Sequence, residues 1–412
     1  MFQRRIAPES KKRNSIRYNE RFLEGRPNLE AFGPPLYYAA AGLWLRVGRA
    51  LDLERGPLLY WVRALNALVY FVLVLGSYWF LRTWYPQDGF MRLGVPVLLS
   101  VFPQDALYYV TRDALSPAMG AAGLFGAVAI VRAKSARPEL YALVGIVGAA
   151  AFLSKYSNAQ VVGLYGLATL AALLRRDADR PLLKLLLLWA LVLIPIGIWL
   201  ARNQLLFGEL LATGGKVDRL GWGRKGIGEY WSHPIFTLGG AWIFVRELIT
   251  TFWRGELAWY RQTLVSAGAD WFYTVSSLLL FALATVGLWV RRRRGEGVLV
   301  EALSLAGVAS AVALLACLSL MFVFGETTNP TADNPYLSQG RLVACALVPF
   351  ALLYVRGIQV AASPLPEVWR LPACWALLAV VVCVVGVSEW SLSRPVFESE
   401  YNWFHQLGRG PS

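Results

Sequence analysis

Ten stretches of the chain are apolar over roughly the 20 residues that a helix needs to cross a bilayer core, and that repetition limits the fold more than any other feature. They cover residues 60–81, 92–109, 114–132, 139–154, 158–174, 181–201, 271–290, 298–324, 342–358 and 371–388. In hydrocarbon every backbone N–H and C=O must find its partner within the protein, so apolar segments of this length fold as helices. The expected fold class is all-α, a polytopic transmembrane helix bundle. Composition agrees: 57% of residues belong to the AVILMFWYC set and 16% are charged, against about 25% charged in soluble domains. Such a chain is too apolar for a soluble enzyme and too apolar to stay disordered.

Charge gives the expected orientation. Lys and Arg number 40 and Asp and Glu 26, for a net charge of +14. One set of connections holds Arg82 and Arg92; Arg132, Lys134 and Arg137; Arg175, Arg176, Arg180 and Lys184; Arg291 to Arg294; and Arg356 and Arg370. The opposite short connections hold only Arg112, Lys155 and Arg341. The positive-inside rule makes the first set cytoplasmic. The basic excess then marks topology and contact with anionic membrane lipids, with no nucleic-acid partner expected.

The expected organisation is an external N-terminal segment with an interfacial helix (1–59), a six-span core (60–201), a long external loop with an interfacial helix (202–270), a four-span region (271–390) and an external tail (391–412). Eleven Lys and Arg between Arg4 and Arg55 fit badly outside. Two explanations compete. Either Ala31 to Leu45 spans and draws them inside, despite Pro34-Pro35, or the chain lacks a first spanning helix that belongs before it.

Scarcity limits the remaining chemistry. Cys317, Cys345, Cys374 and Cys383 all fall in apolar stretches without CxxC spacing, so they read as small hydrophobes and not as disulfides or zinc ligands. His233 and His405 are the only histidines, which leaves little basis for a His-built metal site or a Ser-His-Asp triad. Acid–base work must come from carboxylates. Met1 to Asn28 is polar and basic, so no cleavable signal peptide is expected.

A charged side chain in a spanning region costs about 2.5–3.5 kcal/mol on insertion scales and marks a functional site by default. The sharpest cases lie at span ends expected to face outward. The connection from Phe102 to Asp113 holds two carboxylates, Asp105 and Asp113. The very tight connection Phe152 to Asn158 holds Lys155. Arg202-Asn203 closes the sixth span, and Tyr336 to Arg341 opens the ninth. These four points share one membrane face and can converge on one cavity. The structural alternative is that Asp113 pairs with Arg112 or Lys155 to hold the bundle together.

The loop 202–270 has its own apolar stretch, Ile235 to Trp253, which Arg246 and Glu247 interrupt, so it reads as an interfacial or re-entrant helix. Trp222, Trp231, Trp242, Trp253 and Trp259 suit anchoring at headgroup level, with stacking on sugar rings or gripping of a lipid chain as the functional alternative.

A set of short motifs, in order, resembles a known family. Pro34-Pro35-Leu36-Tyr37-Tyr38 followed by Arg63-Ala64-Leu65-Asn66 resembles the "PPLYY … R-L" opening of class C membrane glycosyltransferases and their bacterial relatives. Thr111-Arg112-Asp113-Ala114-Leu115 is similar to the acidic second external loop, and Ala151-Phe152-Leu153-Ser154-Lys155 to the "G-x-x-x-LTK" helix end. Arg202-Asn203 with Phe207-Gly208 resembles "RN…YG", and Gln339-Gly340-Arg341-Leu342 resembles "QGRY". The likeness runs from about residue 30 to 360 and is nearest to bacterial multi-pass proteins related to the protein O-mannosyltransferases and the lipid A aminoarabinose transferase.

The resemblance implies transfer of a sugar, with inversion, from a polyprenyl-phosphate-linked donor to an acceptor hydroxyl on a glycan, lipid or protein of the envelope, at the outer face of the bacterial inner (plasma) membrane. Such a reaction needs a carboxylate to take the hydroxyl proton and cations to stabilise the departing phosphate. On this reading Asp113, then Asp105, are the catalytic carboxylates; Lys155, Arg341 and Arg202 bind the donor phosphate; and Tyr37 and Tyr38 line the site. No cofactor is certain, and a divalent cation (Mg or Mn) between Asp105 and Asp113 is the open possibility.

The sequence departs from the family at one point. The family's principal acid follows the first span, often as an acidic pair before His, whereas Lys11-Lys12-Arg13-Asn14-Ser15-Ile16-Arg17-Tyr18 has no such pair and only Glu9 and Glu20 lie near. A truncated start accounts for this and for the external basic segment; altered or lost activity is the other explanation. The alternative function is a transporter or a non-catalytic lipid-binding component of envelope polysaccharide assembly. The unusual charges gather at one face instead of mid-membrane and no internal repeat is evident, which favours the enzyme.

Overall fold

In the computed structural model, residues 33–102, 109–132, 137–174, 182–256, 258–259, 262–263, 266–325 and 330–398 are described. Their helices are α1 (Leu36–Ala50), α2 (Arg55–Trp84), α3 (Gly89–Val101), α4 (Ser116–Arg132), α5 (Pro138–Ser154), α6 (Ala159–Leu174), α7 (Leu182–Phe207), α8 (Gly214–Arg219), α9 (Leu238–Arg254), α10 (Ala267–Arg293), α11 (Leu299–Met321), α12 (Leu347–Ala362) and α13 (Glu367–Glu398). Among the described residues eight helices are long and apolar enough to cross a membrane. Two shorter apolar ones, α3 and α5, complete the ten expected spans. The fold is an all-α polytopic bundle. Its strands are two-residue pairs, Gly223–Arg224 with Phe322–Val323 and Ala258–Trp259 with Gln262–Thr263.

Several helices run past the expected limits, α13 to Glu398 and α7 to Phe207, and three further departures have a local reason. The second span stops at Val101, not near 109: Phe102 is extended, as a residue before proline tends to be, and Pro103 follows. The eighth stops at Met321 because Phe322 and Val323 pair with the loop strand. The stretch Ala31 to Leu45 does not span. Its helix, α1, is not among the apolar helices, long or short, because Arg46 and Arg49 interrupt its 15 residues. It lies back on α2 as a hairpin, burying Tyr37, Ala41 and Gly48 and exposing Leu43, Val47 and Leu51. Trp44 and Trp61 stack at 4.6 Å, and each indole N–H donates to the other's backbone carbonyl at 2.8 Å.

Burial separates two core helices from the rest. The span Gly340–Ala362, containing α12, is 83% buried and Arg112–Arg132, containing α4, is 67% buried, against 17–33% for the other six long spans. A helix apolar all round belongs inside a bundle, and α12 packs on α3, α4, α10, α11 and α13. Such a crossing needs small residues for close approach. A Cβ on Gly357 would stand 2.2 Å from the Leu280 carbonyl oxygen of α10, and one on Gly120 of α4 would meet the Cys345 carbonyl.

The helix ends gather into two groups. At the basic end, Arg356 of α12 reaches Asp88 (3.2 Å) and Glu301 (3.0 Å), and Arg291 reaches Glu301 (2.6 Å) and Glu296 (2.8 Å). Arg132 lies over Trp84 at 5.0 Å. This end therefore collects the connections whose Arg content led to their expected cytoplasmic side. The opposite end carries the tight connection at Lys155, the loop after α7 and the segment 330–346.

Between α10 and α11, which both rest on α12, lies a wholly apolar cavity of about 180 Å³. Phe252 of α9, Phe281 of α10, Val308 of α11 and Val343 border it.

Gly357→Leu is expected to destabilise the protein by at least about 1–3 kcal/mol through overpacking against backbone, whereas Gly163→Ala, with open space around it, loses nothing; thermal melting in detergent reads both. Glu301→Gln leaves Arg291 and Arg356 facing a neutral amide in a buried site. Because Arg291 keeps Glu296 and Arg356 keeps Asp88, the expected cost is about 1–3 kcal/mol, and an unchanged melting temperature would show that Glu301 carries no stability.

Candidate functional site

The opposite end builds one polar network from five parts of the chain. Arg112–Leu115 forms a 3-10 turn that leads straight into α4, placing Asp113 in the first turn of a helix, where a negative charge is favoured. Lys155 is a single extended residue between α5 and the 3-10 turn Tyr156–Asn158. That break turns its side chain inward: Nζ lies 2.8 Å from the Asp113 carboxylate and donates to the Arg341 carbonyl at 2.6 Å. The side chains are 6% and 16% exposed, so water screens the pair little. Next to it Ser116 donates to Asn158 (2.5 Å), whose amide donates to the Ser154 hydroxyl (2.9 Å), all three residues fully buried.

On the α1 side, the Tyr37 hydroxyl donates to Asn66 of α2 (2.8 Å), and the Asn66 amide donates to the Tyr109 carbonyl (2.9 Å). One turn along, Arg63 lies 5.8 Å from the Tyr60 ring centre, and its buried Nε has no hydrogen-bond partner. Arg63 makes no ion pair among the described residues, although it stands inside a spanning helix. The Arg112 guanidinium lies against Gly33, where no side chain would fit.

The segment 334–341 joins this network to α9. Glu247 accepts from the Ser338 hydroxyl (2.8 Å) and from the Asn334 amide (3.2 Å), with no cationic partner among the described residues. The Thr251 hydroxyl sits 2.7 Å from the Ser338 carbonyl and accepts the Gly340 N–H at 2.9 Å. Gly340 is required here because a Cβ would stand 2.2 Å from the Phe252 backbone. Arg341, half exposed, points its guanidinium at Glu256 (3.3 Å). The 3-10 turn Gly340–Ala346 thus carries Arg341 in the polar network and Val343 on the apolar cavity.

Of the residues singled out in the sequence, Asp113, Lys155, Arg341 and Tyr37 meet in this network. Tyr38 lies beside Tyr37, ring to ring at 5.4 Å. Arg202 does not join: its guanidinium packs over Trp199 (4.7 Å) and donates to Asn203 (3.1 Å), with no ion pair among the described residues. It is the buried Asn203 that reaches inward, donating to Tyr156 (3.1 Å). Asp105 lies outside the described residues, as do Glu9 and Glu20. Among the described residues no group of three His, Cys, Asp or Glu side chains is placed to hold a metal ion. Arg63 and Glu247 were missed as site residues. The first had the signal of a cation within an apolar span, the second that of a carboxylate interrupting an apolar helix.

His233, in the loop before α9, is 2% exposed and serves structure. Its Nδ1 accepts the Ile235 N–H (3.0 Å), which leaves the proton on Nε2 to bond the Pro335 carbonyl (3.1 Å). Burial holds the imidazole below its ordinary value of 6.5, and Lys225 adds to this against the Pro335 hydrogen bond. A depressed histidine leaves folding unaffected at high pH, where it is neutral in both states. Its penalty grows as pH falls from the unfolded value through the folded one. The junction of loop and segment 334–341 is therefore expected to loosen below about pH 6.5. Limited proteolysis of the loop should accelerate there in the native chain and lose that acid dependence in His233→Gln.

No curated protein and no solved structure matches the chain. A family model described as a predicted membrane protein matches residues 9–333. With ten apolar helices in a multi-pass bundle and that match over most of its length, the chain belongs to the DUF2142 family of integral membrane proteins.

Proposed function

We propose that the protein is an integral-membrane glycosyltransferase that moves a sugar from a polyprenyl-phosphate-linked donor to an acceptor hydroxyl at the outer face of the bacterial inner membrane. The observation that carries the reading is a network of cations and carboxylates beside an apolar cavity, with Arg63 standing there unpaired. Lys155 and Arg341 stand in the network with the carboxylates Asp113, Glu247 and Glu256, and Arg63 stands beside it with no ion pair among the described residues. A phosphate on an apolar chain fits such a place: its charge suits the cations, and its first isoprene units suit the space beneath Val343 and Phe252. The similarity of the ordered motifs to class C glycosyltransferases supports the same reading.

In the proposed reaction the acceptor oxygen attacks the anomeric carbon and the bond from that carbon to the phosphate oxygen breaks. Polyprenyl phosphate leaves, and the hydroxyl proton passes to a carboxylate. A donor phosphate that competes for Lys155 and Arg341 frees Asp113 to take the proton. Glu247 is a second carboxylate on the same side, held only by neutral donors. Asp105 keeps its proposed role as a further acid. Tyr37 and Tyr38 line the α1 side, and Arg202 stays a more distant phosphate contact.

Incubating the purified protein with labelled polyprenyl-phosphate sugars tests the proposal directly. Consumption of one donor is expected, falling about 10²–10³-fold in Arg341→Ala, the scale of removing one group that stabilises developing charge. The second reading, a lipid-binding component without chemistry, is favoured by one observation: Asp113 is already neutralised by Lys155 at 2.8 Å. Asp113→Asn separates the two. Transfer lost with donor binding and melting temperature kept supports catalysis; binding and stability falling together, with no donor consumed by the native protein, supports the non-catalytic role.

A further inference from the structure

The basic end holds a pocket that the proposed chemistry does not use. It measures about 670 Å³ and lies where the α2–α3 turn meets the α12–α13 turn. Its floor is polar: Asp88 caps α3, accepting the Met91 N–H at 3.0 Å, and takes hydrogen bonds from Gln359 (2.9 Å) and Arg356 (3.2 Å). Its wall is apolar, made by Phe90 and Trp375 in edge-to-face contact (5.0 Å) with Leu93 and Leu371. Leu93 and Leu371 are 47% and 54% exposed, on faces of spanning helices that look outward from the bundle. The pocket therefore sits where the apolar flank of the protein meets its polar end.

Two arginines border it, each held in place by a backbone carbonyl. Arg370 lines the pocket and donates from Nε to Leu365 (2.9 Å). Arg92, whose guanidinium passes beside pocket-lining Gly89, donates to Pro86 (3.2 Å). Neither makes an ion pair among the described residues, and Glu367, three residues before Arg370, makes none either. Asp88 adds no attraction for a cation because Arg356 already neutralises it. Two oriented, uncompensated guanidinium groups above an apolar slot at the membrane boundary match an anionic headgroup with its chain.

We propose that this pocket holds one phospholipid of the leaflet at the basic end, its phosphate on Arg370 and Arg92 and an acyl chain along Leu93, Leu371 and Trp375. The lipid staples the two turns, and it leaves the opposite end free for its own substrate.

Native mass spectrometry of the full chain in mild detergent, titrated with phosphatidylglycerol, reads the site. The native protein is expected to retain one tightly held lipid, and R92A/R370A to bind it about tenfold more weakly. The control R82A/R293A removes the same charge from arginines at the same end that stack on Trp79 and Trp289 instead, and it keeps the lipid. R370K, which preserves the charge and disturbs folding least, binds as the native protein does, whereas R370Q binds more weakly. Equal losses in both double variants, or none in R92A/R370A, overturn the proposal. So does displacement of the lipid by glycerol 3-phosphate, which would make this a site for soluble anions.

Discussion

The bundle depends on keeping one almost fully buried helix electrically satisfied at both ends. Residues 340–362 have no lipid-facing side to speak of, so each polar group they carry must be matched by protein. At one end the Arg341 carbonyl takes the Lys155 ammonium, itself neutralised by Asp113; at the other Arg356 is shared between Asp88 and Glu301. Those partners come from α3, α4, α11 and the α5–α6 turn. Satisfying α12 thus fixes how four other elements are placed around it.

The two ends solve the same problem with different consequences. The basic-end core is balanced within itself, since Arg291 and Arg356 meet Glu296, Glu301 and Asp88, and its spare cations stand at the edge. At the opposite end the spare cation Arg63 sits inside a spanning helix, where an unpaired charge is costly. Folding alone gives no reason to keep it. An anionic ligand of the kind proposed would, so Arg63 bears on the proposed phosphate-bearing substrate more directly than the Asp113–Lys155 pair does.

Legibility followed the physics of each feature. The spans were readable because lipid leaves an apolar segment no choice but helix, and even the boundary at Phe102 had its cause in the following proline. Membership of Asp113, Lys155 and Arg341 in one network was readable because charges next to spans are rare enough to stand out. The Asp113–Lys155 pair was one of the two pairings weighed for Asp113, whereas the bond from Lys155 to the Arg341 carbonyl was not readable, since the two are far apart in sequence and meet only once α12 is buried. Arg202 misled for a related reason: at the end of α7 a guanidinium finds Trp199 one turn back, and the short amide beside it turns inward. For α1 two readings stood open, and its apolar residues form one face of a helix that also carries Arg46 and Arg49.

The identity of the proton acceptor in the proposed reaction turns on what each carboxylate already touches. Asp113 has a buried ammonium at 2.8 Å, which occupies the lone pairs that an acceptor hydroxyl needs. Glu247 receives only neutral donors, Ser338 and Asn334, which orient it without neutralising it. In the proposed reaction Asp113 serves as base only if the donor phosphate draws Lys155 away, whereas Glu247 has no cation to displace among the described residues. Binding of the donor and exposure of Asp113 would then be one event, and chemistry before the phosphate arrives would be suppressed by the same ion pair that holds α4 to the α5–α6 turn. The pair's structural role and its proposed catalytic role are in that case two states of one contact.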